Sequence, residues 1–114
     1  MFPIKIEMKE IDNVSFFKIS GRIDQQTYYD LRDKLRACIA AGKNKIVVDL
    51  ANVDVVSGGG WNTIANDRDY AAKSNGDIKL CCMNEKVSAI FKSMDLIEFI
   101  NTYNTVDEAI NSFK

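Results

Sequence analysis

The sequence contains no histidine, one proline and three cysteines among its 114 residues. Histidine is the commonest general base and metal ligand, so its absence argues against an enzyme and against a metal site. Three cysteines, two of them adjacent at Cys81 and Cys82, cannot form the disulfide framework of a small secreted domain. We therefore expect reduced thiols packed in a core, and neither catalytic residues nor a cofactor.

The sequence also lacks a strong net charge and a long apolar run. The formal charge is −1 at pH 7, so no basic field is available to hold a nucleic-acid backbone. No apolar run approaches the ~20 residues of a membrane span, and the first residues do not resemble a secretory signal. We expect a cytoplasmic protein that binds neither nucleic acid nor membrane, folded as a single domain over residues 1–114.

What stands out is the glycine stretch at residues 57–61, which reads Ser-Gly-Gly-Gly-Trp. A glycine costs about 1 kcal/mol relative to alanine inside a helix, so three in a row predict a turn held open for contact. The stretch is not a P-loop, because Trp61 and Asn62 follow Gly60 where that motif needs Lys and then Ser or Thr. The dinucleotide-binding pattern fails as well, since Thr63 occupies the position of its third glycine.

Hydrophobic periodicity predicts an α/β fold with a mixed four- to five-stranded sheet and about four helices. Alternation at residues 4–8 and 14–19 predicts a hairpin with its turn at Asp12-Asn13, and a continuous apolar run at 45–50 predicts a strand buried on both faces. A short strand at 77–82 and an edge strand at 99–103 follow. The helices are predicted to start at Thr27, Trp61, Asn84 and Thr105.

Helical spacing also predicts the environment of single side chains. Thr27 with Asp30 resembles a capping box, and Asp67 with Asp69 lies on the polar face of the second helix. Trp61 either fills the core or anchors a partner, and its place on the apolar face favours the core. The predicted inner face of the third helix consists of Val87, Ile90, Phe91 and Met94.

In open sheets, ligands and partners gather at the carboxyl ends of the parallel strands. Asp24 follows the second predicted strand and Ser57 follows the third, so both fall at that end. Ser57 is not a convincing nucleophile, because no histidine can activate it and Val55 stands where a Gly-x-Ser-x-Gly elbow needs glycine. The predicted site is therefore a binding surface.

These features together resemble a STAS domain, the fold shared by anti-sigma factor antagonists and sulphate transporter tails. Residues 19–24 resemble the family's exit from its second strand, residues 45–50 with Val53-Asp54 resemble its third strand, and residues 105–110 resemble its terminal helix. The resemblance covers nearly the whole chain. It implies a non-catalytic protein-interaction module in bacterial signalling, whose partner is an anti-sigma factor or a related kinase-like protein.

In antagonists of this family the third strand is followed by Asp-Ser-Ser-Gly, and the partner kinase phosphorylates the second serine. The resemblance places Gly59 at that acceptor position, which implies that the phosphorylation switch is lost. Two alternatives stay open: phosphorylation at the shifted Ser57, which otherwise caps the helix, and a small-ligand sensor that binds a nucleotide or anion. The absence of basic residues from Ala51 to Asp67 counts against a highly charged ligand. The partner-binding candidates are Asp24, Ser57, Gly58, Gly59, Gly60 and Trp61.

Overall fold

The computed structural model describes residues 4–95 and 99–114, which form a five-stranded mixed sheet and four helices. The strands are β1 (Lys5–Ile11), β2 (Val14–Ile23), β3 (Lys45–Val56), β4 (Asp77–Cys81) and β5 (Thr102–Tyr103). The helices are α1 (Tyr28–Ala40), α2 (Gly58–Ala72), α3 (Glu85–Ser93) and α4 (Val106–Asn111). None of these helices is long and apolar enough to cross a membrane. The predicted α/β class and element order are confirmed.

The sheet has the strand order β1-β2-β3-β4-β5, in which only the β1–β2 pair is antiparallel. The predicted turn between β1 and β2 is confirmed, since Asp12 and Asn13 have φ values of 51° and 67°, as a two-residue hairpin of type I′ needs. β2 and β3 run several residues further than predicted. The pairing of β2 with β3 is irregular between Lys18 and Arg22, where Gly21 has a φ of 107°. This bulge interrupts the alternation of apolar and polar residues, so the second half of β2 has no strand pattern in the sequence.

The two faces of the sheet are covered unequally. α1, α2 and α3 pack on one face and form the main core, in which Leu35, Trp61 and Phe91 are buried. α4 packs on the other face through Ala109 and Ile110. β3 contributes alternate residues to both cores, which confirms that this strand is buried on both faces.

Four predictions about local structure are corrected. Helix α2 begins at Gly58, so the glycines form its first turn instead of an open loop. The edge strand β5 is limited to two residues, and residues 96–98 lie outside the described ranges. On α3 only Val87 and Phe91 are buried, whereas Ile90 and Met94 are 43% and 37% exposed, because this nine-residue helix touches the sheet along a narrow stripe.

The fourth correction concerns the start of α1. The Thr27 side chain makes no capping hydrogen bond to the helix. Its hydroxyl instead donates to the Arg22 carbonyl over 2.6 Å and accepts from the Asp24 amide over 2.9 Å. The hydroxyl therefore ties the end of β2 to the start of α1. The N-cap predicted at Thr105 is present, since its hydroxyl accepts from the Glu108 amide over 3.1 Å. The Glu108 carboxylate accepts from the same hydroxyl over 3.0 Å, in place of the backbone amide that a full capping box uses.

Candidate functional site

The site begins where β2 and β3 end side by side. Ile23 and Val56 are paired in the parallel register, and the Ser57 amide donates to the Ile23 carbonyl over 2.8 Å. Asp24 and Ser57, the next residues along the two strands, therefore leave the sheet at the same edge. The prediction that both lie at the carboxyl ends of neighbouring parallel strands is confirmed.

Ser57 is the N-cap of α2. Its backbone is extended, with φ −80° and ψ 173°, and its hydroxyl accepts from the Gly60 amide at 3.4 Å. The Ser57 carbonyl accepts from the Trp61 amide over 2.9 Å, which closes the first helical turn. The predicted capping role is therefore present, although the side-chain bond is long and contributes at the weak end of the ordinary range.

The three glycines of the first turn differ in the space around them. A Cβ at Gly58 would meet no atom within 4 Å, and one at Gly59 would lie 3.5 Å from the Tyr28 ring, an ordinary contact. At Gly60 a Cβ would come within 2.7 Å of the Ile23 side chain and within 2.9 Å of the Ile23 carbonyl. Gly60 is therefore required for the close approach of α2 to the strand ends, whereas Gly58 and Gly59 are not.

Trp61 supports the site from inside the molecule. Its side chain is 1% exposed, and its ring centroid lies 5.4 Å from that of Phe91 at an interplanar angle of 51°. The core interpretation is confirmed, because the ring is covered by the fold. Gly60 is buried as well, and contact of these two residues with a partner stays a prediction. Both residues set the position of α2.

Asp24 holds the turn between β2 and α1. Its carboxylate accepts from the Gln26 amide over 2.9 Å and from the Thr27 amide over 3.2 Å. These hydrogen bonds, that from Gln26 above all, lower the pKa of Asp24 below its ordinary value. The carboxylate is thus ionised near neutral pH and remains partly open to solvent.

The residues that reach solvent at this edge are polar. We call them the strand-end surface, and its members are Asp24, Gln25, Gln26, Ser57, Gly58, Gly59 and Asn62. First-turn amides of a helix have no partner inside the helix, so those of Gly58 and Gly59 add donors to the carboxamides around them. This arrangement suits hydrogen bonding to another protein.

A polar groove of about 240 Å³ runs between α1 and α2 beside Gly59. Arg32 and Arg36 line it from α1, and Asn62 and Asp67 line it from α2. Arg36 Nε donates to Asp67 Oδ1 over 2.9 Å. These arginines were not predicted as site residues, because they precede the glycines by more than twenty residues. Their four-residue spacing, which puts both on one face of α1, was the available signal.

The prediction that Asp67 lies on a solvated helix face is wrong. Its side chain is 0% exposed instead of solvated, because the groove wall and Arg36 cover it. Burial raises the pKa of Asp67, and the ion pair with Arg36 only partly offsets that rise. Its second oxygen, Oδ2, has no hydrogen-bond partner among the described residues.

Comparison with known proteins places the chain in a family. The sequence model of the STAS domain matches residues 5–109. The "Putative anti-sigma factor antagonist BtrV" of Bordetella bronchiseptica is 22% identical over 111 residues, which cover 97% of this chain and 96% of that protein.

Solved structures show the same fold. An anti-sigma factor antagonist from Mycobacterium paratuberculosis superposes with a TM-score of 0.87 at 23% identity, over 96% of this chain and 92% of the other. SpoIIAA of Bacillus, an anti-sigma factor antagonist solved in unphosphorylated and phosphorylated forms, gives TM-scores of 0.76 and 0.74. Its identity is 13% and 14%, over 96% of this chain and 97% and 100% of the two SpoIIAA chains. The chain belongs to the STAS domain family.

Proposed function

We propose that this chain is a non-catalytic protein-interaction module of the anti-sigma factor antagonist type, acting in the bacterial cytoplasm. Its partner is an anti-sigma factor or a related kinase-like protein, which docks on the strand-end surface. The fold and the names of its relatives support the general role. The polar composition of the surface, with Gln25, Gln26 and Asn62 exposed around free helix amides, supports the docking site.

The proposal further holds that phosphorylation does not switch this module. The observation that carries it is Gly59, which occupies the second position of α2 where the resemblance implies the acceptor serine. A phosphate would add about −1.5 to −2 charges at the docking surface and repel the partner. Without the hydroxyl, the surface keeps its unphosphorylated, binding-competent form, and regulation depends on the abundance of the module, on a ligand or on the partner.

The test is a phosphorylation assay read by intact-mass spectrometry. The purified chain is incubated with ATP and with each kinase-like anti-sigma factor of its organism. We expect a stable complex with one of them and no increase in the mass of the chain. Stoichiometric phosphate on the unaltered chain would overturn the claim that phosphorylation does not switch it.

Two variants separate the possible acceptors. Gly59→Ser restores a hydroxyl at a position with room for Cβ, and we expect this variant to gain one phosphoryl group and release the partner. Ser57→Ala removes the shifted candidate. Phosphate that is present on the unaltered chain and absent from Ser57→Ala would support phosphorylation at Ser57 instead.

A small-ligand sensor is the second candidate, and the groove beside Gly59 favours it more than the sequence suggested. Arg32 and Arg36 supply positive charge there that residues 51–67 lack. A thermal-shift screen with nucleotides and common anions tests this function. A stabilisation seen with the unaltered chain and lost in Arg32→Gln would support an anion sensor, and a flat screen leaves the interaction module.

A further inference from the structure

A second group of reactive side chains lies on the sheet face that α4 covers. β3 and β4 are paired with Asp49 opposite Cys81, and β2 and β3 are paired with Lys18 opposite Asp49. Residues paired in register share a face of the sheet, so the three side chains stand next to one another across three strands. Asp49 is 6% exposed and Cys81 is 0% exposed.

Cys82 joins this group because the chain turns at the end of β4. In a regular strand, the side chain of Cys82 would point to the face opposite that of Cys81. Its φ is 65°, in the left-handed region, and its amide donates to the Tyr103 carbonyl over 3.1 Å. One sulfur from each cysteine and one carboxylate oxygen of Asp49 all lie within 4.8 Å of one another.

We propose that Asp49, Cys81 and Cys82 bind one divalent transition-metal ion of the zinc type. Zn²⁺ takes thiolate and carboxylate ligands in tetrahedral geometry, with Zn–S distances of about 2.3 Å, so two sulfurs of such a site lie roughly 3.8 Å apart. Because a sulfur and an oxygen ligand of such a site lie roughly 3.5 Å apart, the three ligand atoms need to close by about 1.3 Å at most. Thiolates select such a metal over Mg²⁺ and Ca²⁺, which prefer oxygen ligands.

The surroundings of the cluster fit a metal. The Asp49 carboxylate accepts from the Ala51 amide over 2.9 Å, which orients the carboxylate as an outer-shell hydrogen bond orients a metal ligand. Within residues 4–95 and 99–114, no salt bridge holds this buried carboxylate, which accepts from the Ala51 amide and lies beside the Cys82 thiol. A cation bound between Asp49 and the sulfurs would supply the opposite charge that these neutral groups do not.

Access and charge balance are also present. A cavity of about 440 Å³, lined by Lys18 and Val106 among others, opens onto Asp49. It gives solvent and ions access to the Asp49 side of the cluster, while Cys81 and Cys82 do not line it. A water as fourth ligand is typical of zinc sites with three protein ligands. Two thiolates, one carboxylate and a dication sum to −1, and the ammonium of neighbouring Lys18 lies on the same face. Thiols bind a metal as thiolates, so metal binding releases protons.

The test replaces zinc by Co²⁺, whose thiolate complexes absorb in the near ultraviolet. The tag-free, reduced chain is titrated with Co²⁺ and then with Zn²⁺. We expect a thiolate-to-cobalt absorption band that saturates at one equivalent of Co²⁺ and disappears when Zn²⁺ is added. Protons should be released into the solution as the band grows. Because the chain has no histidine and three cysteines, this band reports on few candidate ligands.

Variants locate the metal. Cys82→Ser, at a partly exposed position, should lose the band, and Asp49→Asn should lower the affinity by at least the roughly 10–100-fold expected for an outer-shell partner. Cys38→Ser is the matched control, since that thiol is buried in α1 and donates to the Lys43 carbonyl over 3.2 Å. Zn²⁺ should raise the melting temperature of the unaltered chain and of Cys38→Ser only.

Two results would overturn the metal site: no stoichiometric band with the unaltered chain, or a band that survives unchanged in Cys82→Ser. Either result would show that Cys81 and Cys82 are ordinary packed thiols and that Asp49 only supports the backbone at Ala51. The outcome is independent of partner binding, so it leaves the proposed signalling function untouched.

Discussion

At the scale of single residues, the properties of the site depend on the absence of side chains at the glycines of α2. Gly59 faces Tyr28 across an ordinary contact distance, so the position accepts a side chain. It is also the second residue of α2, where a negative side chain interacts favourably with the helix dipole. An acidic residue here should therefore leave the stability of the fold nearly unchanged and should mainly alter the affinity for a partner.

Under the proposed function, Gly59→Glu should act as a phosphorylated serine at this position would. The added carboxylate places a negative charge on the strand-end surface, and we expect the affinity for the proposed kinase-like partner to fall by about tenfold or more. Isothermal titration calorimetry measures this change. Gly59→Gln, similar in size and neutral, is the matched control, and an equal loss in both variants would mean that bulk and not charge weakens the complex.

Gly60→Ala should destabilise the fold, because the new Cβ collides with the Ile23 side chain and carbonyl at the strand ends. Overpacking of this kind costs about 1–3 kcal/mol. Gly58→Ala, two residues earlier in open space, should instead raise the free energy of unfolding by about 0.5–1 kcal/mol. Urea denaturation of both variants measures the difference, and equal effects of the two substitutions would contradict the distinction between these glycines.

At the scale of secondary-structure elements, α3 is fixed to the sheet by its N-cap residue, Asn84. Asn84 Oδ1 accepts from the Val87 amide over 2.8 Å, while Asn84 Nδ2 donates to the Val53 carbonyl over 3.1 Å. One side chain thus caps the helix and joins it to β3. Because Phe91 of α3 packs on Trp61, this link also sets the start of α2.

Asn84→Ala removes both hydrogen bonds and should lower the free energy of unfolding by about 1–2 kcal/mol. Asn84→Asp keeps the cap but loses the donor to Val53, so an intermediate loss is expected. Chemical denaturation of the three proteins gives the two contributions separately. If Asn84→Asp equalled the original chain in stability, the bond to Val53 would contribute nothing.

The elements themselves were largely predictable from the sequence, because their signals are local. Apolar periodicity located α1 and β3, and the capping residues Asn84 and Thr105 marked two helix starts correctly. The ends of β2 and β3 were not predictable, since a bulge and exposed positions interrupt their patterns. The start of α2 was missed because glycine has low helix propensity, and Ser57 with the packing of Trp61 overrides that preference here.

Only those residues of the candidate site that directly follow a strand could be predicted from the order of the elements. Asp24 and Ser57 were placed together by the rule for parallel strands, and the structure confirms it. The spacing of Arg32 and Arg36 shows that they share a face of α1, but their place beside Gly59 and the burial of Asp67 depend on how the two helices pack. The same reason applies to Asp49 and the two cysteines, which the register of three strands brings together.

At the scale of the whole molecule, the Arg36–Asp67 pair joins α1 to α2 and makes stability depend on pH. Burial is the largest influence on Asp67 and raises its pKa above the ordinary value of 3.8, against the attraction of Arg36 and Arg32. The folded chain therefore holds this proton at pH values where the unfolded chain has released it. This carboxyl must lower the free energy of unfolding as the pH rises from about 3.8 through the raised pKa.

Asp67→Asn removes this titration while keeping an oxygen that accepts from Arg36. We expect the variant to gain stability relative to the original chain as the pH rises from 4 to 8. Urea denaturation at several pH values measures the difference, in which other groups such as Asp24 cancel. A difference that stays constant with pH would show that the Asp67 pKa is the same in the folded and unfolded chains.

The space around Gly59 has a consequence for how this fold could be regulated. A Cβ at Gly59 meets the Tyr28 ring at an ordinary contact distance, so a serine there would supply a hydroxyl on the existing backbone. Under the proposed function, one substitution at position 59 would therefore separate a constitutive antagonist from a switchable one on the same fold.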